Sequence, residues 1–135
     1  MIKIYPATLL GLVQMEFSEP NMKELQKLSM AGMDYQKAYM WLHLNQKSFA
    51  YNDDKLICFW GFEGHNLTML FSKGLTDKDV PLSFYKACKQ YIKGKDITGF
   101  VLCENTFAVR LVKFLGFKLS DPFMLCNGKF MKFSR

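Results

Sequence analysis

The chain has 135 residues, of which 50% are apolar and 22% charged, with a formal charge of +6. This length fits one domain over residues 1–135, and the apolar share excludes a disordered chain. No run approaches the about 20 apolar residues of a membrane span, and the N-terminus lacks a secretory signal, so we expect a cytoplasmic protein with no membrane partner. The four cysteines form no C-x-x-C pair, which predicts reduced core thiols and no metal site.

Positive charge is concentrated in the second half of the chain. Residues 1–72 hold six Lys+Arg and seven Asp+Glu, whereas residues 73–135 hold twelve and five. A basic half indicates a phosphate-bearing partner, either nucleic acid or a nucleotide-tailed cofactor, or else a surface charged for solubility. The sequence argues against nucleic acid, because the aromatic residues near Lys86, Lys89 and Lys93 fall on the opposite helical face and could not stack on bases there.

The first third of the chain passes from strand to helix. Residues 2–5 predict a short strand ended by Pro6, and residues 9–16 are apolar enough to open a helix. Asn21 and Glu24 have the spacing of a capping box for a helix that would end at Gly32. The same segment carries apolar residues at close to helical spacing: Met22, Leu25, Leu28 and Met30.

A further helix and a group of strands come next. Asp34 predicts the cap of a helix over 35–44, with an inward face made of Ala38, Trp41 and Leu42. Strands are then predicted over 48–51, 56–62 and 67–71. Short polar turns join them, which is typical of an antiparallel meander.

The second half alternates between helix and strand. Helices are predicted over 81–93 and 105–115, with a buried strand over 97–103 between them. Two last strands would flank Asn127-Gly128, a strong hairpin signal. Because strand, helix and strand follow one another from 67 to 103, the two strands should be parallel neighbours. The pattern predicts an α/β fold with a mixed, mostly antiparallel sheet and helices on both faces.

Residues 105–117 read N-T-F-A-V-R-L-V-K-F-L-G-F. They resemble the segment N-x-x-A-x-x-L-Y-x-x-x-G-F of the GNAT (general N-acetyltransferase) superfamily, and the order of elements is similar along essentially the whole chain. From the residues themselves, the alternative is a helix that stops at Gly116 with Phe117 as a buried anchor. A thinner similarity, through N-T-x-x-x-R-x-x-K-x-x-G, is to the small GNAT-like internal virion proteins of short-tailed phages.

The GNAT resemblance implies a parallel strand pair that splays apart and admits acetyl-CoA into the gap. In this chain the gap would lie between 67–71 and 97–103. The family chemistry is attack of an amine on the thioester, with backbone N–H groups stabilising the oxyanion and an acid protonating the thiolate. Carried over residue by residue, the cofactor contacts would be Met69, Leu70, Phe71, Lys73, Gly74 and Asn105.

Two departures from the family pattern concern catalysis. Val112 stands where the superfamily has its tyrosine acid. The stretch 72–81 has one glycine, two carboxylates and Pro81 in place of the phosphate-binding Q/R-x-x-G-x-G/A. Asp77 and Asp79 would repel phosphates and compete for N–H groups by capping the following helix.

The general base has three candidates, each with an ordinary alternative. Glu63 and His65 precede the expected cofactor strand and could be plain turn residues, while Glu104 could be a charge at a strand end. Two functions therefore remain open. One is an acetyl-CoA-dependent N-acetyltransferase with an amine-bearing acceptor and an atypical phosphate loop. The other is an inactive GNAT-fold phage protein that binds a protein partner in virion assembly or in the host.

Overall fold

A computed structural model describes residues 1–29 and 31–135, so Met30, which we expected on a helical apolar face, lies outside the described residues. Within those residues the chain forms five helices around one sheet of eight strands. The helices are α1 (Leu9–Gln14), α2 (Glu19–Leu28), α3 (Met33–His43), α4 (Leu82–Ile92) and α5 (Thr106–Phe114). The strands are β1 (Ile2–Pro6), β2 (Asn45–Asn52), β3 (Lys55–Glu63), β4 (Asn66–Phe71), β5 (Thr98–Leu102), β6 (Lys118–Leu119), β7 (Phe123–Leu125) and β8 (Gly128–Ser134).

The sheet has the strand order β1-β2-β3-β4-β5-β8-β6, and β7 pairs with β8 beside this path. Its pairs are antiparallel except β4 with β5, which are parallel. The predicted mixed sheet, the β2–β4 meander and the final hairpin are confirmed, but the turn of the hairpin is Cys126-Asn127 and not the expected Asn127-Gly128, since Leu125 lies opposite Gly128 at the start of β8. Strand β6 was not predicted, because two residues are too few to show an alternating pattern.

The parallel strands β4 and β5 separate soon after they meet. Asn66 lies opposite Thr98, and the Thr98 N–H donates to the His65 carbonyl oxygen at 2.9 Å. Along the rest of these two fully described strands no further register pair forms. The predicted splayed parallel pair is therefore confirmed, and it opens toward the C-terminal ends of β4 and β5.

Helices cover both faces of the sheet, as the element order predicted. On one face α4 and α5 pack against the sheet through side chains that include Phe84, Cys88 and Leu111. On the other face α1 and α3 enclose a second cluster with Leu12 and Met40, to which α2 contributes Met22 and Leu25. The gap between β4 and β5 thus has α5 on one side and α2 on the other.

The predicted capping box at Asn21 is wrong. Ser18 is the N-cap of α2, and its hydroxyl oxygen accepts the Asn21 N–H at 3.4 Å. Pro20 fits the first turn of a helix because the N–H that proline lacks has no partner there. The helix therefore begins ahead of the expected position, and Asn21 and Glu24 both lie inside it.

The inward face predicted for α3 is wrong at Ala38 and Leu42 and is confirmed at Trp41, which is half-buried against the second cluster. Ala38 and Leu42 are exposed, Leu42 by 77%, and the buried residues are Gln36 and Met40. The Gln36 side-chain amide donates to the Ala31 carbonyl oxygen at 3.0 Å. The side of α3 that faces the second cluster carries Met33, Met40, Trp41 and Leu44, which recur at helical spacing, and Gln36 lies on the same side.

The cysteine prediction holds for two of the four residues. Cys58 and Cys88 are buried, whereas Cys103 is half-buried and Cys126 is exposed in the β7–β8 turn, and all four are free thiols. In the described part of the chain, no group of His, Cys, Asp and Glu side chains could hold a metal ion. Among the described helices, none is long and apolar enough to cross a membrane.

Close packing at Gly99 holds β5 against β8. A Cβ atom built on Gly99 would lie 2.2 Å from the ring of Phe133, which is buried in the core. We expect Gly99→Ala to lower the free energy of unfolding by about 2 kcal/mol, since the ring would have to leave its packed position. Urea denaturation measures the change. Lys132→Ala, an exposed neighbour on β8, is the control, and equal effects of the two substitutions would contradict this account.

Candidate functional site in the cleft between β4 and β5

The backbone of β4 presents alternate residues to the cleft. The Ser72 N–H donates to the Ile57 carbonyl oxygen on the β3 side at 2.9 Å, whereas the Phe71 N–H points away from β3. Because backbone groups alternate along an antiparallel pair, Met69 shares the cleft side with Phe71, and Leu70 faces β3. Of the three β4 residues expected to meet a cofactor, Met69 and Phe71 therefore direct their backbone groups into the cleft.

The backbone of β5 supplies the opposite wall. The Cys103 N–H donates to the Lys129 carbonyl oxygen beside β8 at 2.9 Å, so the same alternation directs the groups of Leu102 and Phe100 toward β4. The cleft then has three levels. The closed end is the direct bond at Thr98, the inner level lies between Met69 and Phe100, and the outer level lies between Phe71 and Leu102.

A cavity of about 130 Å³ occupies the inner level. Its walls come from β4, β5, α2 and α5, and they include Met69, Val101 and Ala108. Glu24 is the one ionisable side chain among the described residues that line it. A mostly apolar cavity with few polar groups is typical of small-molecule sites.

A larger cavity of about 450 Å³ lies outside the outer level, between the start of α2, the β4–α4 loop and the start of α5. It brings together four of the six residues predicted to contact a cofactor: Phe71, Lys73, Gly74 and Asn105. The other two, Met69 and Leu70, line the inner cavity, and Phe71 lines both. The structure thus gathers the six residues along one path into the cleft.

Two side chains of α2 span the outer level, and we call them the α2 bridge: Asn21 and Glu24. The Phe71 N–H donates to Asn21 Oδ1 at 2.8 Å, and Asn21 Nδ2 donates to Glu24 Oε1 at 3.4 Å. The Asn105 side-chain amide also donates to Glu24 Oε1, and the Leu102 backbone bonds to the same carboxyl group. A continuous hydrogen-bonded link therefore connects the end of β4 with the end of β5.

The α2 bridge hydrogen-bonds to backbone groups of β4 and β5 that cannot reach each other across the gap. An N–H group buried without an acceptor costs free energy comparable to a lost hydrogen bond. Phe71 is buried, and Asn21 and Asn105 are each 3% exposed. Side chains from α2, together with the Ser18 N–H, which donates to the Phe71 carbonyl oxygen at 2.8 Å, therefore bond to groups that a neighbouring strand would satisfy in a continuous sheet.

Burial perturbs the Glu24 carboxyl group strongly. Its pKa is raised from 4.5 to about 7, chiefly because burial disfavours the charged form. Hydrogen bonds from Asn105, Leu102 and Asn21 favour the charged form and offset part of this effect. A carboxyl group at the cleft that titrates near neutrality is a common feature of functional sites.

Sequence reasoning assigned Asn21 and Glu24 to a helix cap and so missed their role. A signal was present in the spacing, since residues 21, 24, 25 and 28 fall at i, i+3, i+4 and i+7 on one helical face. Leu25 and Leu28 line the inner cavity beside Glu24. Polar residues at two of the four positions on an otherwise apolar face indicate that they hydrogen-bond to polar groups in the interior.

No protein-family model and no curated protein sequence matches this chain. Solved structures do match its fold: a GNAT-family acetyltransferase from Bacillus cereus has a TM-score of 0.66 at 11% identity, over 100% of this chain and 96% of the other. The fold is the GNAT fold. A variant of the spermidine N-acetyltransferase SpeG from Vibrio cholerae has a TM-score of 0.64 at 11% identity, over 99% and 92%. Apo YjaB from Escherichia coli has a TM-score of 0.58 at 15% identity, over 99% and 97%.

The β4–α4 loop, which follows the splayed strand in this GNAT fold, is closed by one aspartate. Asp79 Oδ2 accepts the Thr76 N–H at 2.8 Å and forms an ion pair with Lys55 at 2.8 Å. These partners lower the Asp79 pKa to about 2. Helix α4 begins after Pro81 without a side-chain cap, so the expected capping by a carboxylate occurs inside the loop and not at the helix.

The three predicted bases do not lie together. Glu63 and His65 are exposed beside the turn at the closed end, where the Tyr39 hydroxyl donates to Glu63 Oε2 at 3.4 Å. Glu104 is exposed between β5 and α5, at the opposite end of the strands. Val112, at the position of the family's tyrosine, is buried on α5 and lines the inner cavity. Their roles in proton transfer stay predictions.

The Glu24 carboxyl group should make stability depend on pH. Its pKa is higher in the folded protein than in the unfolded chain, so proton binding to Glu24 stabilises the folded state. This stabilisation is full below pH 4.5 and is lost as the pH rises through about 7. Glu24→Gln does not titrate and removes this loss. Between about pH 5 and about pH 8, we expect the free energy of unfolding of the variant to gain ~3 kcal/mol relative to wild type. Urea denaturation measures this difference. If the free energies of unfolding of wild type and Glu24→Gln change with pH in the same way across this range, the raised pKa of Glu24 is contradicted.

Proposed function

We propose that the protein is an N-acetyltransferase that takes acetyl-CoA into the cleft between β4 and β5. The observation that carries the proposal is the parallel strand pair, which bonds at Asn66 and Thr98 and then diverges around a cavity of about 130 Å³. Acetyl-CoA would supply the activated acetyl group, and an amine would accept it. Spermidine is the first amine to test, because one similar structure is a spermidine N-acetyltransferase.

The residues fit acetyl-CoA in two regions. In the inner cavity, the cleft-facing N–H of Met69 would bind a carbonyl oxygen, as backbone donors do in oxyanion sites. In the outer cavity, Lys73 would bind phosphate against the negative charges of Glu19 and Asp77, which line the same cavity, and Gly74, with a φ of +78°, bends the loop beside it. At the outer level, between these regions, the α2 bridge holds the groups that the pantetheine arm would need, so acetyl-CoA fits there after the bridge has moved.

A second candidate function rests on the same bridge. A GNAT-fold protein with a permanently closed cleft would bind no acetyl-CoA and would act as an interaction module, as the similarity to phage internal virion proteins implies. Asn21 and Glu24 favour this candidate because they satisfy Phe71, Leu102 and Asn105 without a ligand. The two candidates differ in whether acetyl-CoA enters.

Filling the inner cavity should weaken acetyl-CoA binding. Ala108 lines this cavity, and a phenyl group suits the space, since an engineered cavity of about 150 Å³ binds benzene. We expect Ala108→Phe to weaken acetyl-CoA binding at least about tenfold by calorimetry, and Lys113→Ala, on the exposed side of α5, to leave it unchanged. Release of the CoA thiol in the presence of spermidine and other amines measures transfer. Unchanged affinity in Ala108→Phe would contradict binding in this cleft.

A further inference from the structure

We propose that α2 is an internal gate, in which Asn21 and Glu24 occupy the outer level of the cleft and acetyl-CoA must displace them to reach the inner cavity. This inference rests on the proposed function and concerns the regulation of the same site. In this proposal the closed cleft is the ligand-free state, and the cleft opens when acetyl-CoA binds.

The position of the α2 bridge supports the gate. It lies between the cavity of about 450 Å³ at the β4–α4 loop and the cavity of about 130 Å³ between the strands. Phe71 lines both cavities, and its N–H donates to Asn21 at 2.8 Å. A chain that enters from the loop side would therefore meet the bridge before it reached Met69.

The chemistry of the α2 bridge makes it a competitor of the ligand. The pantetheine arm carries two amides, whose carbonyl oxygens and N–H groups suit the same partners as a side-chain amide or carboxyl group. In the described structure the Phe71 N–H already has an acceptor in Asn21, and the Asn105 amide has one in Glu24. The Phe71 backbone has a single N–H, so a ligand carbonyl oxygen and Asn21 Oδ1 exclude each other there, whereas the Asn105 amide has two N–H groups and only its bond to Glu24 would have to be shared or exchanged.

The α2 helix is held in a way that permits release. Met22 and Leu25 are half-buried at the edge of the cluster formed with α1 and α3, and Leu28 is 41% exposed. Burial of the Glu24 carboxyl group opposes docking, because its charged form loses hydration and its bonds come from neutral donors. The start of the helix is fixed, because the Ser18 N–H donates to the Phe71 carbonyl oxygen at 2.8 Å and the Lys73 N–H donates to the Glu16 carbonyl oxygen at 2.9 Å. Release would therefore be a local opening of the part of α2 beyond Ser18, where Met22, Leu25 and Leu28 are only partly buried.

Acetyl-CoA titration of a bridge variant tests the gate. In Asn21→Ala the Phe71 N–H loses its internal acceptor, and we expect acetyl-CoA to bind about tenfold more tightly than to wild type. Gln26→Ala, at an exposed position on the same helix, is the matched control and should bind as wild type does. Thermal unfolding of each variant shows whether it is folded.

The outcomes separate the gate from the proposed function. Equal affinity of wild type and Asn21→Ala overturns the gate and leaves the acetyltransferase proposal standing. Tighter binding without release of the CoA thiol in the presence of any amine supports the gate and overturns the transferase. If neither protein binds acetyl-CoA at millimolar concentration, both proposals fail.

A measurement on the wild type does not depend on whether a variant folds. Saturating acetyl-CoA should speed hydrogen exchange of the α2 amides over residues 22–28 and slow exchange at Met69. Exchange in β2, none of whose residues lines either cavity, is the internal control and should stay constant. Binding that slows exchange in α2, or leaves it unchanged, overturns the gate.

Discussion

The divergence of two parallel strands is the constraint on which the rest of the site depends. Beyond the bond between Thr98 and His65, β4 and β5 can no longer satisfy each other's backbone groups. In an interior these groups must bond to something. The inner level of the cleft holds a cavity, and the outer level is bonded to Asn21 and Glu24 of α2. One geometric feature thus creates both a ligand-sized space and the barrier in front of it.

The buried polar side chains of the cleft are there because the diverging strands leave backbone groups to bond. Away from such groups, burial of these side chains would lower the free energy of unfolding. Glu24 loses hydration in the cleft, and its hydrogen bonds from Asn105, Leu102 and Asn21 return part of that loss. A core optimised for stability alone would have an apolar residue there. Retention of a carboxyl group at the mouth of the inner cavity is therefore consistent with a site in which α2 exchanges with a ligand.

Local patterns in the sequence predicted most of the fold. The β2–β4 meander has polar turns, the last hairpin turns within one residue of the expected Asn127-Gly128, and α5 begins directly after Asn105. Two predictions failed where the sequence offers competing local signals. Ser18 caps α2 although Asn21 also has a capping-box spacing, and α3 turns Met33, Met40 and Trp41 to the core although Ala38 and Leu42 form an overlapping apolar stripe.

The sequence by itself determined the order of elements and the mixed sheet, because both follow from interactions between residues close in the chain and from the rules of crossover connections. The position of the splay and the residues along the path into it were expected only through the resemblance to the GNAT superfamily. The tertiary structure alone decided that α2 lies across the cleft. Residues 21 and 24 meet residues 71, 102 and 105 through contacts that span about fifty to eighty positions, and no local pattern encodes which distant donors a polar pair will satisfy.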